Sequence, residues 1–337
     1  MSEPRRAPSK RRTVAVILSG MVVVFVALSL AATYVIGPRF GIWIVPPTPQ
    51  RYAQNVVDHL NGGYYATTPE WQTWRANVLE AGSTATTIEE LYPVIATATK
   101  VAGGKHSFFR TPSEASSNDQ QAAADFKAPT LATAGRITTI TVPELGGVSA
   151  DQLQQYADTA AQGIEAAAPT TCGWVIDLRG NTGGNMYPML AGLVPLLPDG
   201  PALVFRQAGG TESTVTVKDG GIGFGGAPTM KTAVRAKISN QPIAVLYDTK
   251  TASSGEAVAT AFRGLSNARS FGSATAGYTS GNAVIPMPDG ARLVLTQAVY
   301  VDRAGVNLNE QPVQPDVKVD PTTADAAAKA WLATTCS

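Results

Sequence analysis

Residues 173–180, GWVIDLRG, read as a continuous apolar strand ending in charge, and the glycine-rich turn NTGGN leads on into the apolar pattern NMYPMLAGLVPLL. A second passage repeats the arrangement: PIAVLYD is a strand, TKTASSG a turn, and EAVATAF the start of a helix. Strands with no polar alternation are buried on both faces, the pattern of strands joined by helical crossovers. RITTITVPEL and ARLVLTQAVYVD add strands, and SADQLQQYADTAAQGIEAAA adds a helix with Ser149 near its cap. Together they predict an α/β core over 131–337.

The preceding part reads differently. QRYAQNVVDHLNGG places Val56, Val57 and Leu60 at helical spacing before a glycine stop, and TPEWQTWRANVLEAG and TIEELYPVIATATKVAGG predict two more helices. Thr68 and Thr87 each stand a short way before acidic residues, as N-caps do. SEASSNDQQAAADFKAPTLATAG is expected to be a polar connection, which bounds a helical N-terminal region at 38–130.

Ahead of that region, Val14 to Ile36 carries no charge over 23 residues. As a helix it would reach about 35 Å, against about 30 Å of membrane hydrocarbon. The reading is a single transmembrane helix over 13–37, preceded by a basic cytoplasmic segment, 1–12. A cleaved signal peptide is the alternative, although its apolar stretch is normally shorter. The first twelve residues hold five basic side chains against one acidic, leaving 21 basic against 24 acidic in the rest. That balance offers a polyanion nothing, so nucleic acid is not an expected partner. Cys172 and Cys336 either pair or remain free thiols, and pairing requires the oxidising side of a membrane.

Two glycine-rich strand-to-helix turns invite chemistry, because backbone N–H groups there face a ligand at a helix N-terminus. NTGGN lacks the Gly-Lys-Ser/Thr of a phosphate loop; an oxyanion hole is the other functional reading and a packing turn the plain one, and the loop by itself does not separate them. In TASSGEA, Ser253 is a nucleophile or, with Glu256, a helix cap; the roles are compatible. The chain has two histidines to serve as a base. His59 falls within a helix, where a packed or surface role is the ordinary one. His106, in GGKHSFF, follows a glycine break and precedes two aromatics. No histidine follows Ser253, which excludes the order of the α/β-hydrolase triad. Scattered histidines and cysteines give no zinc spacing, so no metal or other cofactor is expected.

KHSFF, DLRGNTGG and TASSGEA, in that order, resemble the tail-specific, C-terminal processing serine peptidase superfamily from about Arg136 to Asp320, with NEQPVQPDVKV closing the match. The resemblance implies a Clp protease/crotonase-like core, Ser253 as nucleophile, and oxyanion donors from Ser254 and the Gly183–Gly184 loop. Many members pair serine with a lysine 25 residues on, where this chain has Tyr278, and insert a PDZ domain for which there is no room between His106 and Arg136. Both departures resemble the membrane-anchored branch typified by nisin resistance proteins. By that likeness His106 is the base, Glu256 a supporting carboxylate with Glu310 as the alternative, and Asn282 and Asn185 substrate-binding residues. Lys105 or Lys250 remains an alternative base. The implied activity is extracytoplasmic hydrolysis of peptides near a C-terminal end, with a cationic peptide antibiotic as one substrate class. A non-catalytic peptide- or lipid-binding protein on the same fold is the rival.

Overall fold

The computed structural model describes residues 45–238 and 240–336, with parts of 21–43. The basic segment 1–12 and much of the apolar span expected over 13–37 lie outside the described residues. Among the described residues, no helix is long and apolar enough to cross a membrane.

Helices α1 (Pro49–Leu60), α2 (Pro69–Thr84) and α3 (Tyr92–Gly103) come first, followed by strand β1 (Phe108–Arg110) and helix α4 (Pro112–Ala124). Next are β2 (Thr130–Ala134), β3 (Ile137–Thr141), α5 (Ala150–Ala167), β4 (Gly173–Asp177) and α6 (Met186–Leu193). A meander of β5 (Gly200–Gln207), β6 (Glu212–Lys218), β7 (Gly221–Phe224) and β8 (Met230–Lys231) precedes β9 (Ile243–Tyr247) and α7 (Ser254–Phe262). The chain closes with β10 (Ala268–Gly272), β11 (Ser280–Pro286), β12 (Arg292–Val301), β13 (Val317–Lys318) and α8 (Ala324–Thr335).

The apolar strands build the expected sheet, in the order β13–β10–β9–β4–β3–β2, parallel throughout except for β2 at the edge. Both faces are covered, which is why these strands lack alternation. Ile176, Val245 and Tyr247 point into a core shared with Tyr156 and Ile164 of α5, Leu190 of α6 and Phe262 of α7. Their neighbours Val175, Ala244 and Leu246 meet Ala324, Ala328 and Leu332 of α8. The Cys172–Cys336 disulfide, with a Cα–Cα distance of 5.5 Å, fastens the end of α8 beside the start of β4.

A second, antiparallel sheet, β1–β12–β5–β6–β7–β8 with β11 also paired to β12, closes the first core through Leu203, Val215 and Tyr300. The sequence reading left the meander unassigned. The helical layer packs on this sheet: Tyr52, Val56, Trp71 and Ile95 bury Leu293 and Leu295 of β12. Asp289, in the β11–β12 turn, accepts hydrogen bonds from the hydroxyls of Tyr52 (3.0 Å) and Tyr92 (2.8 Å), pinning α1 and α3 to the hairpin.

Two local expectations need correction. The polar stretch after Arg110 is not a connection, because Thr111 and Glu114 form a capping box and start α4. Thr87 caps nothing; Glu90 instead accepts from the Thr86 N–H and hydroxyl, and Leu91 precedes the helix proper. Thr68 and Ser149 do cap their helices.

Candidate active site

Strand β9 ends beside β4, and hydrogen bonds stitch the two turns together. Asp248 Oδ1 accepts the N–H groups of Gly180 (3.1 Å), Lys250 (2.9 Å) and Thr251 (3.1 Å). The Thr251 hydroxyl donates to Leu178 O at 2.8 Å, and the Ala252 N–H to Asn181 O at 2.9 Å. Between these ties and α7, Ser253 is held at φ 51°, ψ −115°, a left-handed conformation that costs a non-glycine residue energy and clusters at functional positions. Ser253 and Glu256 also form the expected capping box: the serine side chain faces the Glu256 N–H, and the Glu256 carboxylate accepts the Ser253 N–H at 2.9 Å. Ser254 begins α7, so its N–H has no acceptor within the helix, while its Oγ donates to Gly184 O at 2.6 Å.

Gly183 (φ 116°) and Gly184 (φ 112°) face this serine. A Cβ on Gly183 would lie 2.7 Å from Ser253 Cβ and 3.2 Å from its Oγ, so only glycine fits there. The two glycines are not equivalent as oxyanion donors. The Gly183 N–H is spent on Asn181 Oδ1 at 2.9 Å, whereas the Gly184 N–H has no acceptor among the described residues. Asn185, expected to bind substrate, caps α6 through the Tyr187 N–H at 3.0 Å.

His106 occupies the turn between α3 and β1. A register shift between Gly281 and Asn282, opposite β12, lets the Thr296 N–H donate to Ser107 Oγ at 2.8 Å. Asn282 Nδ2 donates to His106 O at 3.0 Å, and its Oδ1 accepts the Thr296 hydroxyl at 2.7 Å. The Asn282 amide therefore ties the His106 carbonyl to Thr296 of β12.

The imidazole lies against Tyr278, ring centroids 5.0 Å apart. Its Nδ1 is 2.9 Å from Ser280 Oγ, which donates to Glu310 Oε1 at 3.1 Å. Tyr65 OH donates to Glu310 Oε2 at 3.2 Å, and Lys105 Nζ to Glu310 O at 2.8 Å. Because the single Ser280 proton points to a carboxylate, the hydroxyl receives one from Nδ1–H. That tautomer leaves a lone pair on Nε2. Burial, reinforced by the adjacent Lys105 charge, lowers His106 to about 4, so the ring is neutral at pH 7. Ser280 was missed from sequence; its only signal was its place beside Asn282 in TSGN.

Glu256 does not support the histidine. Its buried carboxylate accepts the N–H groups of Ser253 (2.9 Å), Gly277 (2.8 Å) and Tyr278 (2.7 Å) and the Thr275 hydroxyl. Burial raises its pKa, with those hydrogen bonds pulling the other way. It joins the Ser253 turn to the 275–278 wall, and Glu310 stands in the position behind the base.

Ser253 and His106 line one open cleft of about 450 Å³ with Lys105, Phe108, Thr182, Thr249, Lys250, Ala252, Ala276 and Tyr278. No hydrogen bond joins the two directly, and such contacts commonly tighten only when substrate binds. His59 is elsewhere, on α1, with Nε2 3.4 Å from Asn55 Nδ2. Among the described residues no cluster of three or more His, Cys, Asp or Glu is placed to hold a metal ion.

Residues 136–319 match the family model described as peptidase family S41. The chain belongs to peptidase family S41. Members of S41 are serine peptidases. The chain is 34% identical over 317 residues to the nisin-resistance protein of Lactococcus lactis subsp. lactis, covering 94% of this chain and 96% of that one. Against the chloroplastic C-terminal processing peptidase of Tetradesmus obliquus it is 27% identical over 169 residues, half of this chain and 32% of that protein. The fold is similar to a lipoprotein from Streptococcus agalactiae (TM-score 0.76, 28% identity, 87% of this chain and 99% of that one). It is also similar to the photosystem II D1 C-terminal processing protease (TM-score 0.58, 15% identity, 84% and 96% covered), a likeness of fold alone. In this S41 chain Ser253, Glu256, Ser280 and Glu310 fall inside the matched segment, and Tyr65, Lys105 and His106 precede it.

Proposed function

We propose that this S41 chain is a membrane-anchored, extracytoplasmic serine peptidase of the Ser–His type. Ser253 Oγ attacks the scissile carbonyl while His106 Nε2 takes its proton and returns it to the leaving amine. The N–H groups of Ser254 and Gly184 stabilise the oxyanion. Ser280, backed by Glu310, keeps the imidazole in the tautomer with Nε2 unprotonated. The observation that carries this reading is a left-handed serine in the same cleft as a histidine whose other nitrogen is hydrogen-bonded. Lys105 is disfavoured as the base, since its Nζ is occupied by Glu310 O. The uncharged stretch from Val14 to Ile36 supports anchoring, and the disulfide supports an oxidising compartment for the folded part.

The substrates are peptides cut near a C-terminal end. The name of the Lactococcus relative makes cationic peptide antibiotics the first class to test. The full-length chain in detergent micelles would be incubated with such peptides and with unrelated peptides, and the products weighed by mass spectrometry. Cleavage by the parent, absent from both Ser253→Ala and His106→Ala, is the expected result. Tight binding without cleavage would move the assignment to a non-catalytic binding protein.

A further inference from the structure

The cleft wall carries two ammonium groups and no carboxylate: Lys105 and Lys250 line it together with neutral side chains. The nearby acids are turned to other tasks. Glu256 lies beneath Ser253 on three N–H groups, and Glu310 is buried behind Ser280. Asp248 holds three N–H groups of the turn, and Glu144 accepts the Thr182 hydroxyl from outside the lining.

The two lysines differ. Lys105 Nζ donates to Glu310 O at 2.8 Å and lies 5.2 Å from the centre of the Tyr278 ring. Lys250 is exposed, and its ammonium has neither ion pair nor hydrogen bond among the described residues. Its backbone is nevertheless fixed three residues before the nucleophile, because its N–H is held by Asp248 Oδ1 at 2.9 Å. An unpaired cation on a rigid turn at the rim of an otherwise acid-free cleft is suited to receive an anion.

Building on the peptidase reading above, we infer that Lys250 binds a substrate carboxylate close to the scissile bond, with Lys105 contributing to the field. The cleft therefore favours peptides presenting a carboxylate there and disfavours those presenting a cation. The carboxylate has two sources of one chemistry, the peptide's own C-terminus and an Asp or Glu side chain.

The test uses the full-length chain and one cleaved peptide made in four forms: free acid or C-terminal amide, each with Glu or Gln downstream of the cut. The expected result is a KM about tenfold or more lower for forms carrying the recognised carboxylate, a preference weakened by salt. The amide pair identifies the C-terminus as the source, and the Glu/Gln pair the side chain. Lys250→Met should bring the ratio close to one, and Lys250→Arg should keep most of it. Equal KM values for all four forms with the unaltered chain would overturn the inference, as would an undiminished ratio in Lys250→Met. Either result leaves the peptidase reading intact, because cleavage has then been observed. Failure of the unaltered chain to cleave any of the forms would instead tell against the peptidase reading, and loss of all cleavage in Lys250→Met alone would overturn the inference by making Lys250 part of the catalytic machinery.

Discussion

Ser280 Oγ lies 2.9 Å from His106 Nδ1 and is the ring's hydrogen-bond partner among the described residues. The serine comes from the first position of β11 and the histidine from the turn before β1, two segments that share only β12 as a neighbour in the sheet. The contact fixes which imidazole nitrogen faces the cleft. Replacing Ser280 with alanine is expected to lower kcat about 10²-fold or more, since the wrong tautomer then competes. It should also move the acid limb of the pH profile downward, because the imidazolium loses its acceptor. A fall in stability with an unmoved limb would reduce Ser280 to a packing residue.

The pH profile itself is a second prediction. With His106 lowered to about 4, kcat/KM should be flat above pH 6 and fall with a midpoint near that value as the pH drops. An unfolded histidine titrates near about 6.5, so the unfolded chain binds the extra proton between these two values. The histidine's contribution to stability is thus complete above the upper value and declines as pH falls through the lower. Rates of free enzyme and urea midpoints across pH 3.5–7 would check both; a midpoint near 6.5 would contradict the buried ring.

Glu256→Ala should be destabilising before it is anything else. Three backbone N–H groups and one hydroxyl lose their acceptor, at about 1–3 kcal/mol for each buried group left unsatisfied. We expect a loss of about 3 kcal/mol or more by urea unfolding, with Glu256→Gln intermediate because one amide oxygen remains. An unchanged midpoint in Glu256→Ala would remove its structural role.

Gly183→Ala tests the loop opposite the nucleophile. The new methyl would press on Ser253, and alanine is strained at φ 116°. Activity should drop about 10²-fold or more while the circular dichroism spectrum of the chain is retained. Full activity would mean that Gly183 does not border the reacting group.

The disulfide closes a sequence separation of 164 residues. Cys336→Ser is expected to cost about 2–5 kcal/mol. Hydrogen exchange should accelerate first in α8, the chain-terminal helix whose fully buried contacts are Ala324, Ala328 and Leu332. Uniform acceleration over the whole chain would argue that the bond supports the global fold instead.

The parallel sheet was legible because Val175, Ile176, Ala244 and Val245 are buried on both faces and leave no polar alternation to confuse the reading. The strand-to-helix turn that carries Ser253 was legible because an apolar strand runs into a serine-rich turn followed by an alanine-rich helix. The partner of the imidazole was not. Ser280 is one residue among many serines, and only the β11–β12 pairing and the left-handed backbone at Asn309 and Glu310 bring it between a ring and a carboxylate. The contacts of Asn282 were hidden for a related reason: a motif position reveals nearness to a site, but not which backbone and hydroxyl groups a side chain meets. The meander β5–β8 was not legible because β7 and β8 are very short and β6 is buried only through every second residue.

On the proposed mechanism the base, His106, is delivered by the helical layer that Asp289 pins to the β11–β12 hairpin, and the family-matched segment begins 30 residues after it. A fragment trimmed to that segment would keep its nucleophile and have nothing to deprotonate it. On the same reading, loosening the Tyr52 and Tyr92 anchors would displace the histidine from a distance while leaving the serine in place.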